Sequence, residues 1–192
     1  MSGTYPTSPV FKGVNFKSKW YNVTSSSITG RTQSRSLGGQ RFEFSAQYPK
    51  ITQSQFGGVD AFIMAQQGSL ETFTIVLPVI SSASGSASGS PTVNGAHSIG
   101  DSTITVASLT GTLTAGDVVT FAGHTKVYKV TADLTGAGTL SISPPIIAAF
   151  SGGEAITYDS VPFTVRQKGD AQEFSVEPGV FYSYEVDFIE AV

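Results

Sequence analysis

Period-two alternation of apolar and polar side chains marks several strands near the two ends of the chain. Phe42-Glu43-Phe44-Ser45-Ala46-Gln47-Tyr48 puts Phe42, Phe44, Ala46 and Tyr48 on one face, and Pro49 stops the run. Tyr182-Ser183-Tyr184-Glu185-Val186-Asp187-Phe188 repeats the pattern, with Ser, Glu and Asp on the opposite face. Residues 71–78 form a third β-rich run; residues 163–168 and 172–176 are two more, joined through Gly169-Asp170 in what reads as a hairpin. One segment has a different period. Phe56, Val59, Phe62 and Ile63 recur at helical intervals after Thr52-Gln53-Ser54-Gln55, which has capping-box spacing, and Gly68 closes the run. This predicts one short helix over residues 53–67, weakened by Gly57-Gly58, since an interior glycine costs roughly 1 kcal/mol against alanine.

Between these parts the pattern changes. Ser81-Ser82-Ala83-Ser84-Gly85-Ser86-Ala87-Ser88-Gly89-Ser90-Pro91 is a run of small residues with little to bury, expected to be a flexible or extended connection. A weaker boundary falls at Tyr158-Asp159-Ser160-Val161-Pro162. Within these limits β-prone runs at residues 102–107, 118–122, 126–132, 138–143 and 155–158 alternate with turn signals such as Ala115-Gly116-Asp117 and Gly136-Ala137-Gly138. Five short strands in about 70 residues describe a small barrel or sandwich. The outer strands need one another to cover the helix, so the expected fold is mainly β. Residues 1–80 and 161–192 form a discontinuous β-barrel or sandwich with one helix, residues 81–91 a linker, and residues 92–160 an inserted small β-barrel or β-sandwich.

Charge is sparse, 13% of the 192 residues against about 25% in soluble proteins generally. A weakly charged, hydroxyl-rich surface suits contact with neighbouring copies, because buried charge is costly and interface cores are depleted of it; a secreted β-domain accounts for it as well. Residues 1–50 carry Lys12, Lys17, Lys19, Arg31, Arg35, Arg41 and Lys50 against Glu43, a net +6, and the rest of the chain is −9. Opposite signs on different parts of one chain fit head-to-tail association, or a basic arm folded over its own acidic body. The chain has no cysteine, and Met1-Ser2-Gly3-Thr4-Tyr5-Pro6 lacks the basic start and apolar run of a leader. No apolar stretch approaches the ~20 residues that span a bilayer. A soluble protein made in the cytoplasm without membrane insertion is expected.

The chemistry-bearing side chains are few. His97 and His124 are the only histidines, and no Gly-x-Ser-x-Gly, P-loop or His-Glu-x-x-His occurs. His124 with Asp117 or Asp133 is the one triad that could be drawn; Asp101, Asp117, Asp133 and Asp159 each adjoin a turn signal, where carboxylates bond local backbone. No catalytic, cofactor-binding or metal residue is assigned, and no enzyme is expected. The basic stretch Thr24–Gln40 either tracks phosphates or lies as a long loop on a neighbouring subunit; lacking interleaved aromatics, it favours the second. Trp20, Tyr21, Arg31, Arg35 and Arg41 are the candidate interface residues, with Trp20-Tyr21 an anchor in a core or a contact.

Residues 113–133, which include Leu113-Thr114-Ala115-Gly116-Asp117-Val118-Val119 and Lys126-Val127-Tyr128-Lys129-Val130, followed by Gly138-Thr139-Leu140-Ser141-Ile142-Ser143-Pro144-Pro145, resemble a small β-module inserted in structural proteins of tailed bacteriophages. Ser36-Leu37-Gly38-Gly39-Gln40-Arg41-Phe42-Glu43-Phe44 and the closing Tyr182–Phe188 run are similar to the distal-tail and tail-tube-like group. The resemblance implies a virion protein of the tail, assembled in the host cytoplasm into a ring, commonly a hexamer. DNA would pass through its lumen without specific binding, and other tail and baseplate proteins would be partners. A mainly acidic body would line the channel with like charge. The alternative is a receptor- or glycan-binding or capsid-decoration module of the virion.

Overall fold

The computed structural model describes residues 3–177 and 181–192. Met1 and Ser2, which open the segment read for a leader, lie outside them. The strands, in chain order, begin with β1 (Gly13–Lys19), β2 (Asn22–Ser26), β3 (Thr32–Ser36), β4 (Arg41–Gln47) and β5 (Ile51–Thr52). The helix α1 (Gln53–Ala65) follows, then β6 (Phe73–Val76), β7 (Ser88–Val93), β8 (Thr103–Thr110), β9 (Thr112–Leu113), β10 (Val118–Phe121) and β11 (Tyr128–Val130). The last are β12 (Leu134–Thr135), β13 (Gly138–Ser143), β14 (Ile156–Thr157), β15 (Pro162–Gln167), β16 (Phe174–Glu177) and β17 (Phe181–Glu190). The protein is mainly β with one short helix.

The chain divides into two units. One comprises Ser8–Thr72 with Val165–Ala191; the other comprises the described residues up to Thr7, Phe73–Thr164 and Val192. The divisions fall beside Phe73 and within β15 rather than at the small-residue run.

In the first unit β17 is the central strand. It pairs antiparallel with β4 (Val186 opposite Ala46, Phe188 opposite Phe44), and β4 pairs antiparallel with β1 (Phe16 opposite Phe44, Val14 opposite Ala46). The alternation of β4 and β17 is the period-two pattern of their sequences: Phe42, Phe44, Ala46, Tyr184, Val186 and Phe188 share the buried face. Helix α1 covers that face. Its Thr52 N–H donates to Gln55 Oε1 at 3.1 Å, a link of the capping-box kind, and Phe56, Val59 and Ile63 are its buried residues. The Phe56 ring lies 4.6 Å from that of Tyr182 and 5.4 Å from that of Tyr184, and Gln167 Nε2 donates to the Ile63 carbonyl at 3.1 Å.

The hairpin expected through Gly169-Asp170 does not form. β15 pairs with the end of β17 (Val165 opposite Glu190), and β16 pairs with its beginning (Phe174 opposite Tyr184). The two therefore follow one another along the same side of β17, because β4 and β5 occupy the other side. A two-residue hairpin needs a left-handed residue at its tip, and neither Gly169 nor Asp170 has positive φ. The intervening excursion is tied back instead: Asp170 accepts from the Ser69 N–H at 2.9 Å and the Ser69 hydroxyl at 2.6 Å, and Gln172 bonds both Gln167 and the Tyr184 hydroxyl.

The second unit is built around a six-stranded sheet ordered β14-β10-β11-β13-β8-β7 that curls into a nearly closed barrel. Its ends meet where the Val93 N–H donates to the Glu154 carbonyl at 2.9 Å and Thr92 bridges Ala155. Val93, Ile104, Val106, Val119, Phe121, Tyr128, Val130, Leu140, Ile142 and Phe150 fill the interior. The run Ser81–Pro91, expected as a flexible or extended connection, is built into this unit, and its last residues are extended in β7. The Ser84 N–H and hydroxyl both donate to Asp117, β7 begins at Ser88, and a methyl group on Gly85 would lie 2.1 Å from the Thr112 carbonyl oxygen. Small residues here allow close approach of backbones. β6 lies beside β15, and Thr4 and Tyr5 extend the edge beyond it, with the Tyr5 N–H donating to the Thr74 carbonyl at 2.8 Å.

Asp117 is the polar centre of the turn between β9 and β10: 5% exposed, it accepts from the Ser84 N–H, the Ser84 hydroxyl and the Thr114 N–H at 2.7–2.8 Å. Asp117→Ala strands these donors and is expected to cost about 2–4 kcal/mol in denaturant unfolding. Asp133→Ala, which removes one exposed bond to the Ala115 N–H, should lose far less; equal losses would contradict this assignment.

Candidate functional site

Two surface features of the first unit stand out from its packing. The first is an arm. Residues 20–39 are exposed without exception, yet they form a hairpin: β2 and β3 pair from Asn22 opposite Ser36 to Ser26 opposite Thr32, and the Leu37 N–H donates to the Tyr21 carbonyl at 2.8 Å. Ser27 and Arg31 close the turn, and Gly38 and Gly39, both at φ 73°, lead the chain back into β4. The long loop expected over Thr24–Gln40 is therefore an ordered two-stranded ribbon. A hairpin with neither face buried is marginal in water. This one carries apolar residues into solvent, Val23 at 51%, Ile28 at its turn fully exposed, and Leu37 at 62%.

Of the five candidate interface residues, four belong to this arm or its base. Trp20 and Tyr21 are exposed at the base rather than anchored in a core, and Lys19 Nζ sits 5.4 Å from the Tyr21 ring centre. Arg31 lies at the turn and Arg35 on β3 opposite Val23. Arg41 is apart from them: it is half-buried in β4, opposite Lys19. No acidic residue occurs between Trp20 and Gln40.

The second feature is the face of the sheet turned away from α1. Asn15, Lys17, Lys19, Glu43, Ser45, Gln47, Ser183, Glu185 and Asp187 lie on it by alternation. Several of its charges are paired across strands. Glu43, 7% exposed, sits between Lys168 Nζ at 3.0 Å and Lys19 Nζ at 3.2 Å. Glu185 takes hydrogen bonds from Ser45 and Gln47, and Lys50 is paired with Glu177. The hydrogen bond from Lys168, then that from Lys19 and the charge of both, hold the Glu43 carboxyl below the usual carboxylate range against the opposing effect of burial.

Sequence reasoning missed this polar face and the two strand edges that bound it. β1 pairs only with β4, and β16 only with β17, among the described residues. The available signal was Lys12, Lys17 and Lys19 around β1 and Glu173 and Glu177 around β16. The residues that could be drawn into a triad make structural contacts: His124 packs 4.5 Å from the Phe150 ring, and Asp117 and Asp133 hold backbone N–H groups; the other histidine, His97, accepts through Nε2 from the Thr105 N–H at 3.1 Å. Among the described residues no group of three or more His, Cys, Asp or Glu could hold a metal ion, and no helix is long and apolar enough to cross a membrane. No family model and no curated protein matches the chain.

Because the Glu43 carboxyl is held low, its contribution to stability is present above the unfolded-state value and is lost as pH falls through the folded-state value. Glu43→Gln should therefore differ most from the parent protein at neutral pH. The gap in urea midpoints should narrow as pH drops below the usual carboxylate range; a gap independent of pH would sink the assignment.

Proposed function

We propose that this chain is a non-enzymatic structural subunit of a bacteriophage tail, at the tube or its distal baseplate end, which assembles with copies of itself into a ring around the DNA channel. The observation that carries the reading is the arm. An ordered hairpin exposed at every position from Trp20 to Gly39, with Val23, Ile28 and Leu37 in solvent and only basic charges, has little reason to persist in an isolated monomer. Contact with a neighbour supplies that reason, and the net −9 of residues beyond 50 supplies a complementary surface. The low overall charge and the residues that resemble tail proteins support the same reading. So does the occupation of both histidines and of Asp117 and Asp133 in structural contacts.

Tyr21 and Leu37 are hydrogen-bonded neighbours, so Asn22–Ser36 can be replaced by an Asn-Gly turn without moving the sheet. The shortened protein should keep its melting temperature within a few degrees and sediment as a smaller species than the parent. An unchanged assembly would remove the arm from the reading. Immunogold labelling of intact virions tests the function itself, since a protein absent from particles, or monomeric at every concentration, is not a tail subunit.

A further inference from the structure

The seam that closes the barrel contains the only Asn-Gly pair of the chain. Two bridges flank it, Thr92 with Ala155 and His97 with Phe150, in one antiparallel register. Residues 92–97 and 150–155 are therefore spans of equal length, and Gly95 falls opposite Gly152. Between the bridges the Gly153 N–H donates to the Val93 carbonyl at 2.8 Å and the Val93 N–H to the Glu154 carbonyl at 2.9 Å. Asn94 and Gly95 are both exposed. The Asn94 N–H is held by the Thr105 carbonyl at 2.8 Å, but among the described residues neither the Asn94 side-chain amide nor the Gly95 N–H has a hydrogen-bond partner. A methyl group on Gly95 would meet nothing within 4 Å, and one on Gly152 would lie 3.2 Å from the Gly95 nitrogen. Because both residues are glycine, neither puts a side chain over that nitrogen.

We infer that Asn94-Gly95 is a site of spontaneous deamidation whose isoaspartyl product opens the barrel's seam. The Gly95 nitrogen attacks the side-chain Cγ of Asn94. The new C–N bond closes a cyclic imide, and the side-chain nitrogen leaves as ammonia, carrying the proton lost from Gly95. Water then opens the imide at either of its carbonyls. One opening restores the backbone with an aspartate at position 94; the other leaves an isoaspartate, whose backbone runs through the former side chain and is longer by a methylene. Attack within one chain needs no encounter between molecules. Ordered strands resist it by engaging the attacking N–H in a ladder, and here that N–H is the one left out. Asn15 and Asn22, the other two asparagines, lie in β1 and β2 and precede Phe16 and Val23, whose side chains crowd the attacking nitrogen.

The two products act differently on the fold. Aspartate keeps the two spans equal. Isoaspartate lengthens residues 92–97 alone, as a bulge does, so the pairings of Val93 and of His97 are not both kept. Val93 and Phe150, each 2% exposed, are core residues on opposite sides of the seam, and the Phe150 ring lies 4.7 Å from that of Phe121. Loss of either pairing releases one of them from the interior. The inference stands or falls independently of the tail reading.

Full-length protein incubated at mildly alkaline pH, then mapped by mass spectrometry with fragmentation that separates aspartate from isoaspartate, should convert at Asn94 more than about tenfold faster than at Asn15 or Asn22. The aged protein should exchange the backbone N–H groups of Val93, His97 and Phe150 more than about tenfold faster than fresh protein. Asn94→Gln, which must close a larger ring, should keep its protection through the same incubation. Fresh Asn94→Asp, which has the charge without the added methylene, should match the fresh parent protein. Survival of Asn94 as long as the other asparagines would overturn the site. Conversion with unchanged exchange, or exchange as fast in fresh Asn94→Asp as in aged protein, would overturn the effect on the seam.

Discussion

Every backbone N–H and C=O removed from water must find a partner, and the two units of this chain meet that demand in different ways. In the barrel the ladder returns on itself: β14 comes back to β7, where Gly153 and Val93 exchange backbone bonds with Val93 and Glu154 at 2.8 and 2.9 Å. Little edge is left open there. In the sheet of β1, β4, β17 and β16 the ladder stops with two strands paired on one side only. Natural sheets blunt such edges with charge, bulges or coverage. Here both edges carry charge, lysines beside β1 and glutamates beside β16.

The same constraint explains where the few charges are kept. A buried carboxylate such as Glu43 is tolerable only with partners, and it has a lysine on either side at 3.0 and 3.2 Å. Holding the Lys19 and Lys168 ammonium groups across strands also fixes the register of the polar face, where no packed layer does so. On the opposite face, register follows from Phe44 against Phe188 and Phe56 against Tyr182, whose ring centres lie 5.3 and 4.6 Å apart. A one-residue slip would exchange these faces and place phenylalanines in water.

Elements with one buried side were legible in the sequence for this reason. The alternation of Phe42, Phe44, Ala46 and Tyr48, and of Tyr184, Val186 and Phe188, records an inside and an outside, as do Phe56, Val59 and Ile63 at helical spacing. The arm has no inside. Asn22–Ser26 and Thr32–Ser36 are ribbon strands mostly of hydroxyl and amide side chains, with Val23 their one apolar residue, so period-two alternation is absent and the segment reads as loop. Gly169-Asp170 misled in another way, because turn composition does not reveal φ, and β17 is long enough to pair with β15 and β16 in succession. Small residues in Ser81–Pro91 look like slack; only packing reveals that Gly85 is needed because Thr112 lies against it. The polar face was illegible because its residue types are those of any solvated strand, and what distinguishes it is the pairing on Glu43 of Lys19 and of Lys168, the latter across 125 residues of chain.

The position of the barrel in the chain follows from the same logic. It is spliced between β6 and β15, two neighbouring strands of one sheet, so its two ends must lie close together, and the Val161 N–H indeed donates to the Ser81 carbonyl at 2.8 Å. Ser81, fully buried, also accepts from the Leu77 N–H through its hydroxyl at 2.8 Å, binding both connections at one point. Domain insertions succeed where the ends of the host loop are near and the insert folds by itself.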